Sequence, residues 1–334
     1  MWQDLYQVRA LVLSSKKAHV IIPTHSAHDT LKFAVLSVLD QTLAPERITI
    51  IGDGATEKVR SLAEELSDEF SVVEFQDNPK LGNRGENYRD QVIQTSDADF
   101  ISYLCDDDLY IPNHLEVMSK HLENFDFVHP RPTFVNPDGS LFFLPSGIEI
   151  PKIKTWHKLD PPQNSISLSG ASHTRQSYLS LETGWDAGPP EYWTDLYMWV
   201  KFFSNAKVTT FTSPHTTTIK LMYTKTDRDQ LNRHDLIKYW YSITRESDEL
   251  ISFQSRIETQ LKEMFFDNSM ELKNLHSVTA ERDAVTAERD HILASKSWKM
   301  TKPLRKLASI LKLLKSNYRT QGISKREIDK LTGK

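Results

Sequence analysis

The sequence has a single cysteine, Cys105, among its 334 residues. One cysteine cannot close an internal disulfide or build a thiolate metal cluster, so a reducing compartment is expected. No charged segment followed by an apolar one opens the chain, and no apolar run reaches the roughly 20 residues that span a bilayer. The sequence therefore predicts a cytoplasmic protein, or one that lies on a membrane face without crossing it.

Acidic side chains are absent between Asp290 and Glu327, although the chain as a whole has a net charge of -4. This segment holds ten basic residues: Lys296, Lys299, Lys302, Arg305, Lys306, Lys312, Lys315, Arg319, Lys325 and Arg326. On a helix that begins at Pro303, one face would carry Leu304, Leu307, Leu311 and Leu314. A basic amphipathic helix is typical of binding to an anionic membrane surface. The alternative is a helix that docks on a protein or a nucleic acid. We favour the membrane and expect no nucleic-acid partner.

Three carboxylates follow directly on a predicted buried strand. Residues 100–104 are largely apolar and rich in β-formers, Asp106, Asp107 and Asp108 come next, and Pro112 starts a predicted helix. Because three adjacent acids repel one another, a positive charge is expected among them. A hard cation such as Mg²⁺ or Mn²⁺ binds one or two carboxylates together with phosphate oxygens. The alternative is a solvated acidic loop near a helix start.

Strands and helices alternate over the first hundred residues. The predicted strands are 18–22, 48–51, 72–75 and 100–104, with helical segments between them. This alternation predicts a mostly parallel, doubly wound α/β sheet. Ligands bind such sheets beyond the carboxyl ends of the strands. Residues 23–25, Asp53 and residues 106–108 all follow strand ends, so they are expected to share one cleft.

The pattern changes beyond residue 112. Segments 126–129, 134–135 and 141–143 are predicted as antiparallel strands with a turn at 136–139. The remaining predictions for this part are a loop at 145–170, helices at 174–181 and 194–203, and strands at 208–211 and 217–223.

A charged helical extension is predicted beyond about residue 230. Residues 278–284 and 285–291 are near-copies, and Val278, Val285 and Ile292 recur at every seventh position. This repeat is typical of a coiled coil, which would join copies of the chain in a homo-oligomer. A lone solvated helix is the alternative. The predicted organisation is an N-terminal helix (1–18), an α/β domain (18–225), a helical or coiled-coil region (226–295) and a basic tail (296–334).

Six segments, in order along residues 18–225, resemble the family 2 glycosyltransferases. They are residues 20–25 (the opening strand and Pro-Thr-Tyr-Asn turn), 36–42 (S-V-L-x-Q-T), 51–56 (V-D-D-G-S-T), Arg89 (A-R-N), 104–112 (L-D-x-D-D-x-x-x-P) and 184–199 (G-F-D…E-D-x-x-L-W). Four positions depart from the pattern: Gly52 replaces an acid, His25 a Tyr, Asp90 an Asn and Thr194 a Glu. The tail at 295–305 resembles a segment that follows coiled coils in bacterial surface-polysaccharide glycosyltransferases.

The resemblance implies a GT-A fold with a helical C-terminal extension, and an inverting, metal-dependent transfer from a nucleotide sugar. A UDP-sugar is the expected donor and a glycan or lipid-linked molecule the expected acceptor, in bacterial surface-polysaccharide synthesis on the inner face of the cell membrane. The implied donor-binding residues are Pro23, Thr24, His25, Asp53, Arg89, Asp106 and Asp107. Asp108 would ligate a Mn²⁺ or Mg²⁺ ion directly, and Asp106 would hold the ribose or reach the metal through water. Asp195 would be the general base.

Each implied role has an ordinary structural alternative. Asp53 could make a turn with Gly54, and Arg89 could lie on a helix surface. Asp195 could stabilise the N-terminus of its helix electrostatically. His215 resembles an additional metal ligand of some GT-A enzymes, but an ordinary loop histidine is favoured. Two other functions compete: a catalytically weak GT-A domain acting as a membrane-associated assembly scaffold, and a nucleotidyltransferase. A nucleotidyltransferase usually has a glycine-rich, basic phosphate-binding loop after its first strand. This sequence lacks such a loop.

Overall fold

The computed structural model describes residues 16–27, 29–81, 84–131, 133–144, 147–222 and 232–301, together with residues 306, 308, 309 and 312. The chain divides into two compact units, Met1–Ile257 and Glu258–Lys334. Most of the predicted N-terminal helix and the four leucines of the predicted tail helix lie outside the described residues.

The strands come early and the long helices late in the described chain. The strands are β1 Ala18–Thr24, β2 Arg47–Asp53, β3 Val73–Asn78, β4 Phe100–Tyr103, β5 Asp108–Tyr110, β6 Phe127–Pro130, β7 Thr133–Val135, β8 Leu141–Phe143, β9 Ser172–Thr174, β10 Thr210–Ser213 and β11 Thr218–Leu221. The helices are α1 Leu31–Leu39, α2 Glu57–Glu69, α3 Glu86–Thr95, α4 His114–His121, α5 Pro151–Trp156, α6 Arg175–Leu179, α7 Thr194–Ser204, α8 Arg233–Arg245, α9 Ser247–Ala294 and α10 Lys296–Met300.

Seven strands form the main sheet, in the order β10-β6-β9-β4-β1-β2-β3. The pairs of β1 with β2 and β4, of β2 with β3, and of β6 with β10 are parallel. Strand β9 runs antiparallel to β4 and β6. The predicted mostly parallel, doubly wound α/β architecture is therefore confirmed, and it places the carboxyl ends of β1, β2 and β4 at one edge.

Alternate residues of β1 enter two different hydrophobic clusters, because successive strand side chains point to opposite faces. Val20 and Ile22 pack in the first cluster with apolar residues of α1, α2 and α4. Ile21 packs in the second with residues of α3, α6 and α7. Helices thus cover both faces of the sheet, which explains why its central strands are apolar without alternation.

A second sheet, in the order β5-β11-β7-β8, lies beside the main one in the same unit. The β7–β8 hairpin across residues 136–139 was predicted and is observed, with Thr133 paired to Phe143. The prediction that 126–129 pairs with this hairpin is wrong. Strand β6 is buried along its whole length in the main sheet, as expected of a strand covered on both faces.

Other parts of the second half were not predicted. Segment 145–170 contains helix α5, which starts at Pro151, where the fixed φ of proline and its missing N–H fit the first turn. The three-residue strands β5 and β9 were also missed.

Helix α8 packs against α1 within the first unit. The Tyr241 hydroxyl donates to Asp40 over 2.5 Å, and the ring of Phe33 contacts those of His234 and Tyr241. The helical character predicted beyond residue 230 is confirmed by α8 and by the 48-residue α9. Within the described ranges, no helix combines the length and the apolarity needed to cross a membrane.

Candidate active site

The acidic loop, residues 105–108, connects the two sheets. Cys105, Asp106 and Asp107 are partly buried between β4 and β5, and Asp108 is the first residue of β5. The Asp108 side chain is 0% exposed. The loop therefore stands at the carboxyl end of β4, but its last acid belongs to the neighbouring sheet.

Asp108 is held by three donors. Its Oδ2 accepts hydrogen bonds from the Ser169 hydroxyl at 2.5 Å and from the Lys220 ammonium at 2.9 Å, and its Oδ1 accepts from the Leu221 N–H at 3.2 Å. Burial raises the pKa of Asp108, whereas Lys220 opposes that rise. These bonds use three of the roughly four acceptor positions of an ionised carboxylate.

The loop fits a hard divalent cation. Ligand atoms of Cys105, Asp107 and Asp108 lie within 4.8 Å of one another. Burial raises the pKa of the Cys105 thiol to about 12, so its sulfur is protonated and a poor ligand for Mg²⁺ or Mn²⁺. Two carboxylates remain, which is the number such a cation takes when phosphate oxygens complete its shell.

Asp106 is outside that group of ligand atoms. Burial, and next the neighbouring Asp107, raise the pKa of Asp106 to about 7, while Thr24 and Arg233 pull it down. The Arg233 guanidinium also lies 3.7 Å from Asp107 and 3.8 Å from Asp29. Asp106 is therefore placed beside the end of β1, as expected, while α8 adds an arginine that sequence reasoning did not include.

The ends of β1 and β2 meet as predicted. Pro23 and Thr24 pair with Ile51 and Gly52, one residue short of Asp53. His25 Nδ1 lies 3.0 Å from the Asp53 carbonyl oxygen. These residues therefore form one patch at the edge of the main sheet.

The Asp53 carboxylate is 9% exposed and is fixed by the loop after β3. Its oxygens accept from the Lys80 ammonium at 2.6 Å and from the Leu81 N–H at 3.0 Å. Gly85, at φ +74°, brings the start of α3 so close that a Cβ there would lie 3.2 Å from the Asp53 Cβ. Asp53 is thus an ordered acceptor and more than a turn residue.

Arg89 is buried and does not lie on a helix surface. Its guanidinium donates to the Arg84 carbonyl over 2.6 Å and stacks 4.4 Å from the Trp185 ring centroid. Its Nε hydrogen has no hydrogen-bond partner among the described residues. Burial lowers the pKa of Arg89, and Cys105 and Asp195 are among the groups that raise it. Arg89 is therefore a buried cation close to Asp195 and to the start of the acidic loop.

Asp195 lies in the first turn of α7, where the helix dipole favours a negative charge. Its Oδ1 accepts from the Leu196 N–H at 2.9 Å and from the Asn164 side-chain amide at 3.2 Å. Burial raises the pKa of Asp195, and the Leu196 N–H and then Lys220 oppose that rise. Such a carboxylate binds a proton more readily than an exposed one, which is what a general base requires.

Two departures from the family pattern have local causes. A Cβ at Gly52 would lie 3.1 Å from both the Ala55 Cβ and the Phe75 ring, so a side chain there would require these neighbours to shift. Asp90 accepts a hydrogen bond from the Tyr178 hydroxyl at 2.6 Å. The hydroxyl oxygen of Tyr178 in turn accepts from the backbone N–H of Trp185 at 2.7 Å. Asp90 therefore orders the loop that carries Trp185.

Sequence reasoning missed Lys220, Ser169 and Lys80. The signal for Lys220 is a lysine within the otherwise buried strand β11. His215 is exposed, lies near His121 and is absent from the group of candidate metal ligands.

The chain is similar in sequence to known glycosyltransferases. Residues 19–180 match the family model "Glycosyl transferase family 2". The chain is 26% identical over 195 residues to "Uncharacterized glycosyltransferase RT0329" of Rickettsia typhi, covering 57% of this chain and 59% of that protein. It is 25% identical over 125 residues to "UDP-Glc:alpha-D-GlcNAc-diphosphoundecaprenol beta-1,3-glucosyltransferase WfgD" of Escherichia coli, covering 35% of this chain and 46% of that protein.

Among solved structures, TarS 1-349 of S. aureus is similar, with a TM-score of 0.48 and 13% identity, covering 66% of this chain and 64% of that one. The chain spans less than two thirds of the length of each of these proteins. The family-model match covers β1 to α6, the part that supplies the acidic loop, Asp53 and Arg89. Residues 19–180, just under half of the chain, therefore match the family 2 glycosyltransferases in sequence.

Proposed function

We propose that the chain is an inverting glycosyltransferase that moves a sugar from a UDP-sugar to a hydroxyl of a glycan or lipid-linked acceptor. The supporting observation is that the acidic loop and Asp195, which come from distant parts of the chain, both have Lys220 as a charged neighbour. The choice of UDP and of a lipid-linked acceptor follows the name of the relative WfgD, a UDP-Glc transferase acting on a diphosphoundecaprenol glycan.

The donor would lie across the ends of β1, β2 and β4. Asp53 and His25 would bind the nucleobase, with Pro23 and Thr24 beside them, and Asp106 would bind the ribose. Asp107 and Asp108 would hold a Mn²⁺ or Mg²⁺ ion, with Asp106 reaching it through water; the bound ion supplies positive charge to the departing diphosphate. Arg89, a buried cation that stacks on Trp185, would add a second positive charge near the loop.

Asp195 would accept the proton of the acceptor hydroxyl. The oxygen of that hydroxyl then forms a bond to the anomeric carbon, while the bond from this carbon to the donor phosphate oxygen breaks. The electron pair leaves with the nucleoside diphosphate. Because attack comes from the face opposite the leaving group, the configuration at the anomeric carbon inverts.

UDP release from a panel of UDP-sugars, with Mn²⁺ and candidate acceptors, tests this function. We expect turnover with at least one donor, and loss of turnover in Asp195→Asn. The scaffold alternative has one observation in its favour: Asp53 and Asp108 are already paired with Lys80 and Lys220. Nucleotide-sugar binding without any turnover would favour the scaffold.

We also propose that the basic tail places the enzyme on an anionic membrane surface, in surface-polysaccharide synthesis on the inner face of the cell membrane. Each Lys or Arg near such a surface contributes about 1 kcal/mol. The full-length chain should float with anionic vesicles at low salt, and a chain ending at residue 294 should not. Neutral vesicles are the control. Failure of the full-length chain to float would contradict a membrane role for the tail.

Helix α9 supports a homo-oligomer. Val278, Val285 and Ile292 recur at seven-residue spacing and are 61%, 65% and 45% exposed. A coiled coil would bury these side chains against a second copy. Sedimentation of the wild type and of Val285→Asp tests this; a monomeric wild type would contradict it.

A further inference from the structure

Lys220 occupies an unusual place for a lysine. It lies in β11, paired in antiparallel register with Asp108 of β5. Its ammonium is 2.9 Å from Asp108 Oδ2, and its side chain is 26% exposed while that of Asp108 is 0% exposed. The backbone pairing thus fixes the cation beside the acidic loop and leaves part of the side chain open to solvent.

Several acidic groups share this ammonium. Asp108 binds it directly, and Asp107 is the preceding residue of the same loop. Lys220 also pulls down the pKa of Asp195 on α7. The Lys220 ammonium therefore lies beside the acidic loop, on the side of the site that would hold the donor diphosphate.

A purely structural role explains this arrangement poorly. A buried ion pair is often no more stabilising than a well-packed apolar pair, because both charges lose their water. An ammonium has three N–H donors. Within the described ranges, the hydrogen bond found for Lys220 goes to Asp108 alone. Two donors on a partly exposed side chain are thus left to meet another anion.

We propose that Lys220 is a donor-binding residue whose ammonium contacts the phosphate oxygens of the nucleoside diphosphate, a contact that does not need a bound divalent cation. This inference rests on the proposed function. A charge held in place by the sheet needs no reorganisation when negative charge grows on the leaving diphosphate, and such preorganised charges are effective in the transition state. Asp108 fixes the direction of the ammonium.

Calorimetric titration of the full chain with UDP and with UMP, in EDTA, tests the contact. Lys220→Met removes the charge and keeps the length of the side chain, whereas Lys220→Arg keeps the charge. A charged hydrogen bond lost from the diphosphate should weaken UDP binding about 10- to 100-fold in Lys220→Met, with UMP binding much less affected. Lys220→Arg should retain more of the UDP affinity.

Lys80→Met is a matched control, because Lys80 pairs with Asp53 on the nucleobase side of the site. It should change UDP and UMP binding by the same factor. If Lys220→Met does not fold, as judged by circular dichroism, the double variant Asp108→Asn/Lys220→Met removes both charges and takes its place. It should lose UDP affinity in the same way.

The remaining outcomes separate the two proposals. Unchanged UDP affinity in a folded Lys220 variant would make this lysine a structural counter-ion. The same conclusion would follow if the wild type bound UDP with Mn²⁺ but not in EDTA. A wild type that bound no nucleoside diphosphate under either condition would instead overturn the proposed function, and this inference with it.

Discussion

Asp108 and Asp195 are two carboxylates withdrawn from water in different ways. Asp108 has a lysine and two further donors around it. Asp195 accepts from one backbone N–H and one side-chain amide, and none of the ion pairs found in the described residues includes it. A fixed cation favours the ionised form of a carboxylate more strongly than neutral donors do. Asp108 suits binding of charge, and Asp195 suits proton transfer.

Replacement of Asp195 should have the largest effect, and that effect should be on turnover. Asp195→Asn keeps the shape of the side chain but cannot accept the acceptor proton, so turnover should fall by about 10²- to 10⁴-fold with donor binding nearly unchanged. Steady-state UDP release and calorimetry measure the two effects.

Asp186→Asn is the control for this change. Asp186 is 43% exposed and pairs with Lys201 in the same region of the chain. It should keep turnover close to that of the wild type. If Asp195→Asn were fully active and Asp186→Asn were not, Asp186 would be the base.

The second largest effect concerns stability. Asp108→Ala leaves the Lys220 ammonium without its counter-ion, and breaking a buried pair costs about 3–5 kcal/mol. Because Lys220 is 26% exposed, we expect the lower end of that range, about 3 kcal/mol less unfolding free energy by urea titration. Asp107→Ala, at a partly exposed position, should cost much less while it weakens Mn²⁺-assisted UDP binding.

The double variant Asp108→Ala/Lys220→Met sharpens this test. Removing both charges should recover part of the stability that Asp108→Ala loses, since no uncompensated charge is left. A double variant less stable than Asp108→Ala would mean that Lys220 is stabilised by other groups.

The sequence predicted the sheet better than the contacts within the site. Apolar strands and their turns follow local patterns, so β1 to β4 and their helices could be anticipated. Lys220 and Asp108 are 112 positions apart in the sequence. The pairing of β11 with β5 brings them together, and β5 is only three residues long and begins with an acid. Nothing local signals that pairing.

Arg89 gives a second example of the same limit. Its place in a motif was recognisable, but its burial depends on Trp185, almost a hundred residues later. The position of Asp195 in a first turn could be anticipated because helix periodicity and the start of α7 are local.

A third effect concerns four buried histidines. Burial lowers the pKa of His19 and His173 to about 4 and that of His114 and His129 to about 3. The unfolded chain, with histidine pKa near 6.5, therefore binds more protons below that pH. Stability from these groups is present above about pH 6.5 and falls as the pH drops towards 4.

Urea titrations between pH 4 and 6.5 measure this loss. His19→Gln should reduce the slope of unfolding free energy against pH by up to about 1.4 kcal/mol per pH unit, which is the contribution of one proton. His276→Gln, on the exposed part of α9, is the control and should leave the slope unchanged. Equal slopes in the wild type and His19→Gln would mean that His19 is protonated inside the fold.

The smallest effect links the two carboxylates through Lys220. Lys220 lowers the pKa of Asp195. Lys220→Met should therefore move the acid limb of the kcat/KM profile to higher pH, because the ionised base loses a favourable charge. Lys220→Arg should leave the limb near its original place. Lys201→Met removes the same charge from α7, but Lys201 pairs with Asp186, so this control should not move the limb. The shift is expected to be small because no hydrogen bond joins Lys220 to Asp195 in the described structure. A limb that stays fixed in Lys220→Met would mean that another group accepts the acceptor proton.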